Sequence, residues 1–316
     1  MLRTVHQKCV TTALLLLLAG SAVAQPVDQE IRVQDLEAVA FFEEAVAVDI
    51  DPAGVVYVVD AGAHHIAKIS AEGKVLQHLG GPGEGEGQFD TPADVDVTNG
   101  LVLVVADAAN GRVQRFSREF LFLESLNIDD DANARQDVYG SEPSYRQQAQ
   151  DGNNIGSGRP ISLITADDNA MYVVDEVENA IQMWDAQRNF VRQIGAYDQG
   201  EGSLIEPVAV ALSDAGGLFI ADRGRNAIVV YDAFGGFDRT MADGLIANAE
   251  SLFILNDLLL VILHDRLLVY QSRGLLESTI AIALDEPLRD AAIHNGVLYL
   301  LGEKTLFKTS WATLAP

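Results

Sequence analysis

Six copies of one short pattern run along the chain, and they constrain the fold more than any other feature. Four copies are clear. Val55–Asp60, Leu101–Asp107, Met171–Asp175 and Leu218–Asp222 are β-rich runs that each end in Asp. After a polar gap a second β-rich run follows, starting at Ile66, Val113, Ile181 and Ile228. Two weaker copies are Leu259–His264 with Leu267–Tyr270, and Val297–Gly302 with Leu306–Lys308. The first-run ends at residues 60, 107, 175, 222, 264 and 302 are spaced 47, 68, 47, 42 and 38 residues apart. A period of about 40–47 residues with several short strands per unit is that of a propeller blade. Leucine-rich, ankyrin and tetratricopeptide arrays are excluded by the period and by the lack of helical patterning. The expected fold is all-β, a six-bladed β-propeller of four-stranded antiparallel blades.

The strands of a unit can be named. Strand a follows a proline in three copies, at Pro92, Pro160 and Pro207, and reads as apolar on both faces. Strand b is the Asp-ended run and strand c follows the gap. Strand d begins at Val75, Phe120, Phe190 and Leu275. The a–b turns carry hairpin chemistry, such as Asn99-Gly100 and Asn295-Gly296. The last unit leaves little room for strand d. An orphan strand at Ile31–Val39 is expected to supply it, closing the ring and removing an open edge.

The units resemble NHL repeats. The resemblance rests on Asp107-Ala-Ala-Asn110-Gly-Arg112-Val113 and on two matching linkers, Gly80–Pro92 and Gly195–Pro207. It is tight in units two and four. Where unit two has Arg112, the others have His65, Ala180 and Ala227, so a function needing a ring of arginines is not implied. The glycine-rich linkers are not phosphate loops, because no Gly-Lys-Ser/Thr follows and they lead into strands. The repeated Asp60, Asp107, Asp175 and Asp222 read as anchors that accept loop N–H bonds. A catalytic group is normally unique, and these recur.

Residues 1–24 read as a signal peptide. Arg3 and Lys8 precede a short apolar run, and Ala22-Val-Ala24 precedes Gln25, so cleavage is expected after Ala24. The domain expected after it spans 25–316, secreted or periplasmic, with no membrane span. The single cysteine, Cys9, lies in the leader, so the domain has neither disulfide nor thiolate-held metal. Without Arg3 and Lys8 the 21 basic residues become 19 against 46 acidic, a formal charge of −27. That excludes nucleic acid and anionic lipid as partners, which need a basic face.

Propeller ligands gather where the d–a and b–c loops meet the central channel. Alignment on the strand-a proline places Glu44, Thr91, Arg159, Glu206, Asn248 and Glu286 at this mouth. A second row holds Asp94, Ser162, Ser251 and Arg289. This set has the donor chemistry for a small ligand or for Ca²⁺ or another divalent cation, although no cofactor is required. An insert at about 128–158 carries Tyr139, Tyr145 and a weak calcium-loop spacing at Asp129-x-Asp131-x-Asn133. No His-x-Glu-x-x-His cluster and no nucleophile triad can be argued from the spacing. The leading expectation is a non-catalytic binding propeller for a protein, peptide or glycan. The alternative is a metal-dependent enzyme similar to peptidyl-amidoglycolate lyases or gluconolactonase-like lactonases, a resemblance that implies a central metal.

Overall fold

A computed structural model of the chain describes residues 29–128, 157–197 and 199–314. The leader and most of the insert, including Tyr139 and Tyr145, lie outside the described residues. Two strands come first, β1 (Gln29–Arg32) and β2 (Glu37–Phe41). Blade one follows with β3 (Ala45–Ile50), β4 (Val56–Asp60), β5 (His65–Ile69) and β6 (Val75–Gly80). Blade two is β7 (Pro92–Asp96), β8 (Val102–Asp107), β9 (Arg112–Ser117) and β10 (Phe122–Asn127). Blade three is β11 (Pro160–Thr165), β12 (Met171–Asp175), β13 (Ala180–Trp184) and β14 (Phe190–Ile194). Blade four is β15 (Pro207–Leu212), β16 (Leu218–Asp222), β17 (Ala227–Tyr231) and β18 (Phe237–Met241). Blade five is β19 (Ala249–Leu255), β20 (Leu258–Leu263), β21 (Arg266–Gln271) and β22 (Leu276–Ala283). Blade six is β23 (Leu288–His294), β24 (Val297–Gly302) and β25 (Thr305–Ser310), completed by β2 against β25. The protein is a six-bladed β-propeller, closed as expected by an N-terminal outer strand. Among the described residues no helix is long and apolar enough to cross a membrane.

The N-terminal segment differs in detail from the expected single strand. A 3₁₀ turn at Val33–Asp35 breaks it. Upstream, β1 adds to blade five as a fifth, parallel strand, with Ile31 opposite Ile282. Downstream, β2 pairs antiparallel with β25, Glu37 opposite Lys308. Ile31 explains the split, since it is buried in the apolar cluster between blades five and six.

Each blade packs its faces on its neighbours through apolar clusters. Val58 and Ile69 of blade one meet Tyr299 and Leu306 of blade six, and Ile181 and Ile194 of blade three meet Val210 and Ile220 of blade four. The strands walled in on both faces must therefore be apolar throughout. In β4, β12 and β16 every residue is buried. The inner strands differ in part from the sequence reading: one of their faces lines the channel, where Asp49, Asp94, Asp96, Ser162, Ser251 and Asp290 stand among apolar side chains.

Neighbouring inner strands share no ladder, so their channel-side N–H groups need other acceptors. In blades one to four, side chains of the preceding blade supply several of them. Asp290 Oδ2 accepts from Val48 N–H at 2.8 Å, Asp49 Oδ2 from Val97 at 2.7 Å and Asp94 Oδ2 from Leu163 at 2.7 Å. Asp96 Oδ2 accepts from Thr165, and Ser162 Oγ from Val210 at 3.4 Å. Burial, with the charge of Asp290 adding, pushes the Asp94 carboxyl up to about 7. Burial likewise raises Asp290 to about 6 and Asp49 well above the usual range.

The glycine-rich linker of blade two is held by a buried cation. Arg112 is fully buried and its Nε donates to Asp107 Oδ2 at 2.7 Å. Its other nitrogens donate to the carbonyls of Glu84, Gly85 and Gln88. Gly80 must be glycine there: its φ is +124°, and a Cβ would lie 2.7 Å from the His64 carbonyl oxygen. Blade four lacks this arginine, but Arg225, two residues earlier in the unit, donates to the Glu201 and Ser203 carbonyls of the matching linker. Arg112 is thus a loop brace.

Two outcomes follow for stability. Arg112→Ala leaves Asp107 buried without its cation, and chemical denaturation is expected to show a loss of about 3–5 kcal/mol. Because the folded pKa of Asp94 and of Asp290 lies above the unfolded value of about 3.9, the folded state holds more protons between about pH 4 and 7. Their contribution is full below that window and lost as pH rises through it. The thermal midpoint is expected to be higher at pH 5 than at pH 8, with a flatter dependence in Asp94→Asn.

Candidate functional site

The mouth is built by the first residues of the inner strands and the loops that follow strand b. The repeated Asp shapes it. Asp60 accepts from the N–H groups of Glu43, Glu44 and Ala63, and Asp222 from those of Ile205, Glu206 and Arg225. Asp175 accepts from Arg159 N–H at 3.0 Å and Val177 N–H at 3.2 Å, and Asp107 from Asp90 N–H at 2.8 Å. These carboxylates hold the d–a loop against the b–c loop in blades one to four.

The six aligned mouth residues do not converge. Glu44, Thr91, Arg159, Glu206 and Asn248 are exposed on the rim. Arg159 pairs with Glu176 of its own blade at 3.2 Å. Asp94 lies deeper, in a channel cavity of about 230 Å³ with Asp49, Asp96 and Asp290.

Blade six is out of step with the sequence alignment. Leu288 sits opposite Gly302 as Pro207 sits opposite Asp222, so Leu288, not Pro287, takes the proline position. Asp290 is therefore the counterpart of Asp94, and Arg289 stands one residue nearer the mouth. The repeat Asp is Gly302 here, and Glu286 fills the space: its carboxyl lies where a Cβ on Gly302 would go, and its Oε2 accepts from Lys304 N–H at 2.6 Å. Glu286 is a loop brace as well.

What does converge is a set the alignment passed over. The second residue of the inner strand is Val46, Ala93, Ile161 and Val208 in blades one to four, but Glu250 and Arg289 in blades five and six. The residue after the strand-b end position is Ala61 and Ala108 in blades one and two, but Arg223, His264 and Glu303 in blades four to six. These five side chains meet. His264 Nε2 lies 2.8 Å from Glu250 Oε1, which Arg223 also contacts. Arg289 bridges Glu250 Oε2 at 3.3 Å and Glu303 Oε2 at 2.8 Å. Glu250 is 14% exposed and His264 46%. A carboxylate fixed by two guanidinium groups thus orients an accessible imidazole. With Glu250 accepting from Nε2–H, the other ring nitrogen is left to take a proton. Comparing the copies one residue beyond the proline and beyond the strand-b end would have revealed the set.

At this cluster and in the channel, the donors among the described residues do not fit a resident metal. Among the described residues no three His, Cys, Asp or Glu side chains gather in a metal-holding group. Glu250 is held by two guanidiniums, and the channel carboxylates accept backbone N–H bonds.

No family model and no curated sequence matches the chain. Among solved structures it is similar to a catalytically inactive histidine-to-alanine variant of virginiamycin B lyase from Staphylococcus aureus with quinupristin. The TM-score is 0.58 at 12% identity, over 84% of this chain and 81% of that one. It is similar to a gluconolactonase from Xanthomonas campestris, with a TM-score of 0.60 at 13% identity over 87% and 89%. It is also similar to RRP9 WD40 repeats, with a TM-score of 0.59 at 10% identity over 89% and 99%. At these identities the likeness is one of fold: the chain is a six-bladed propeller with structural neighbours among the gluconolactonase and virginiamycin lyase propellers.

Proposed function

We propose that the chain is an exported, NHL-like propeller enzyme that uses His264, oriented by Glu250, as a general base on a small carbonyl substrate such as a lactone. The observation that carries this reading is the 2.8 Å imidazole–carboxylate pair of blade five at the channel mouth, flanked by Arg223 and Arg289. Structural neighbours that include a lactonase, and a lyase inactivated by loss of a histidine, support it. In lactone hydrolysis the free imidazole nitrogen takes a proton from water, and the water oxygen bonds to the carbonyl carbon. The ring C–O bond breaks, and the leaving oxygen recovers the proton from the imidazolium. Guanidinium groups beside the pair favour the negative charge that develops on the carbonyl oxygen. No step uses a metal.

A second reading, a binding propeller for a protein, peptide or glycan, is favoured by exposed apolar groups at the same end. Tyr197, Ile205 and Val177 stand out from the loops of blades three and four.

Turnover of aldonolactones and of quinupristin by the purified chain separates the two. The enzyme reading expects turnover that resists chelators. His264→Ala and Glu250→Gln are expected to lower kcat/KM by about 10²-fold or more. Absence of turnover on the whole panel, or variants that match the parent, would overturn it.

A further inference from the structure

The repeat contains its own comparison at the other end of the channel, where the a–b and c–d turns lie. Between blades one and two, Tyr57 is buried with its hydroxyl bonded to Asp51. Arg118, from the c–d turn of blade two, reaches into this gap and lies 3.3 Å from Asp51 Oδ2. Lys68 stands 5.6 Å from the Tyr57 ring centre and donates to the Arg118 carbonyl at 2.7 Å. The gap has no room left for a water molecule.

The ladders identify the same place between blades three and four. Tyr172 lies three residues before Asp175, as Tyr57 does before Asp60. Met183 faces it where Lys68 faces Tyr57. Leu103 pairs with Phe116 as Leu218 pairs with Tyr231, so Ala233 stands where Arg118 stands. Both cations of the filled gap are thus replaced by neutral side chains, and a cavity of about 450 Å³ opens.

Ala166 takes the turn position of Asp51, its carbonyl accepting from Asn169 N–H as that of Asp51 does from Gly54, but other groups that a cation would satisfy are present. Tyr172 lines the cavity and is only 7% exposed, and its hydroxyl has no hydrogen-bond partner among the described residues. Thr165 Oγ1 is shielded and also lacks one. Asp167, Asp168 and Asp214 line the opening, and no Lys or Arg does. Asp168 uses Oδ1 on the Ala170 N–H. Arg192, which acts on Tyr172 electrostatically, donates to the Phe234 carbonyl.

We propose that this cavity is a binding site for a guanidinium or ammonium group, brought by a small molecule or by a peptide side chain. The chain shows the fit itself, since its own Arg118 fills the equivalent gap beside Tyr57 and Asp51. A cation seated over the Tyr172 ring would have Asp167, Asp168 and Asp214 at hand. The volume falls in the range of small-ligand pockets. The site is at the opposite end of the inner strands from His264, so its fate is independent of the lactonase reading.

Calorimetric titration with agmatine, with a blocked arginine tripeptide and with a neutral ureido analogue of agmatine tests the proposal. One-site, salt-sensitive binding of at least one cation is expected, with none of the neutral analogue. Binding of agmatine alone identifies a small-molecule site, and binding of the peptide alone identifies a protein partner. Ala233→Arg should abolish binding and raise the thermal midpoint, by supplying the missing group from within. The double variant Tyr172→Phe with Asp168→Asn, which leaves the fold's own contacts in place, should weaken binding about tenfold or more. The proposal is overturned if neither cation saturates the protein, if a folded Ala233→Arg variant still binds, or if the double variant binds as the parent does.

Discussion

A blade's hydrogen-bond ladder ends at its own inner strand, and the whole ring depends on what bridges the gap to the next. Apolar packing between blade faces supplies the bulk of the cohesion but no direction. Direction comes from the channel, where Asp290, Asp49, Asp94 and Asp96 each reach one blade onward to a specific backbone N–H. The bonds fix the rotation of blades one, two and three relative to the blade before each. They also crowd carboxylates into a narrow space, so the channel resists full ionisation. The mouth inherits its geometry from this stitching, because Arg289 is bonded in sequence to Asp290 and Glu250 to Ser251, both of which line the channel.

Much of the fold was readable from residues because a repeat multiplies weak signals. One Asp-ended run says little, whereas four at a regular period define a blade. The ring closure was readable in outline, since an apolar strand with no partner and a unit lacking its outer strand imply each other. The break at Val33–Asp35 was not, because it depends on Ile31 finding the blade five–six interface.

The candidate site was less readable for a definite reason. Pro287 invites alignment with the strand-a prolines, yet the ladder begins one residue later, and a one-residue slip moves every side chain to the other face. That slip put Arg289 in the channel row and hid its meeting with Glu250. His264 looked like the end of strand b, whereas Leu263 holds that position and His264 stands beyond it, beside Glu250. The degenerate copies also conceal repairs. Glu286 does at Gly302 what an Asp does elsewhere, and Arg225 does what Arg112 does, from different sequence positions.

The clasp between β2 and β25 has a consequence for how the molecule comes into being. The strand that closes the ring is made before any blade, while its partner belongs to the last one. Until β25 exists, β2 has no antiparallel neighbour, and blade six keeps an unpaired edge until β2 docks. Five blades can form by local zipping as the chain emerges, but closure must wait for the two distant segments to meet. In the interval the exposed edge is a template for another copy of the chain. The pairing of β1 with blade five places β2 beside the site where β25 arrives.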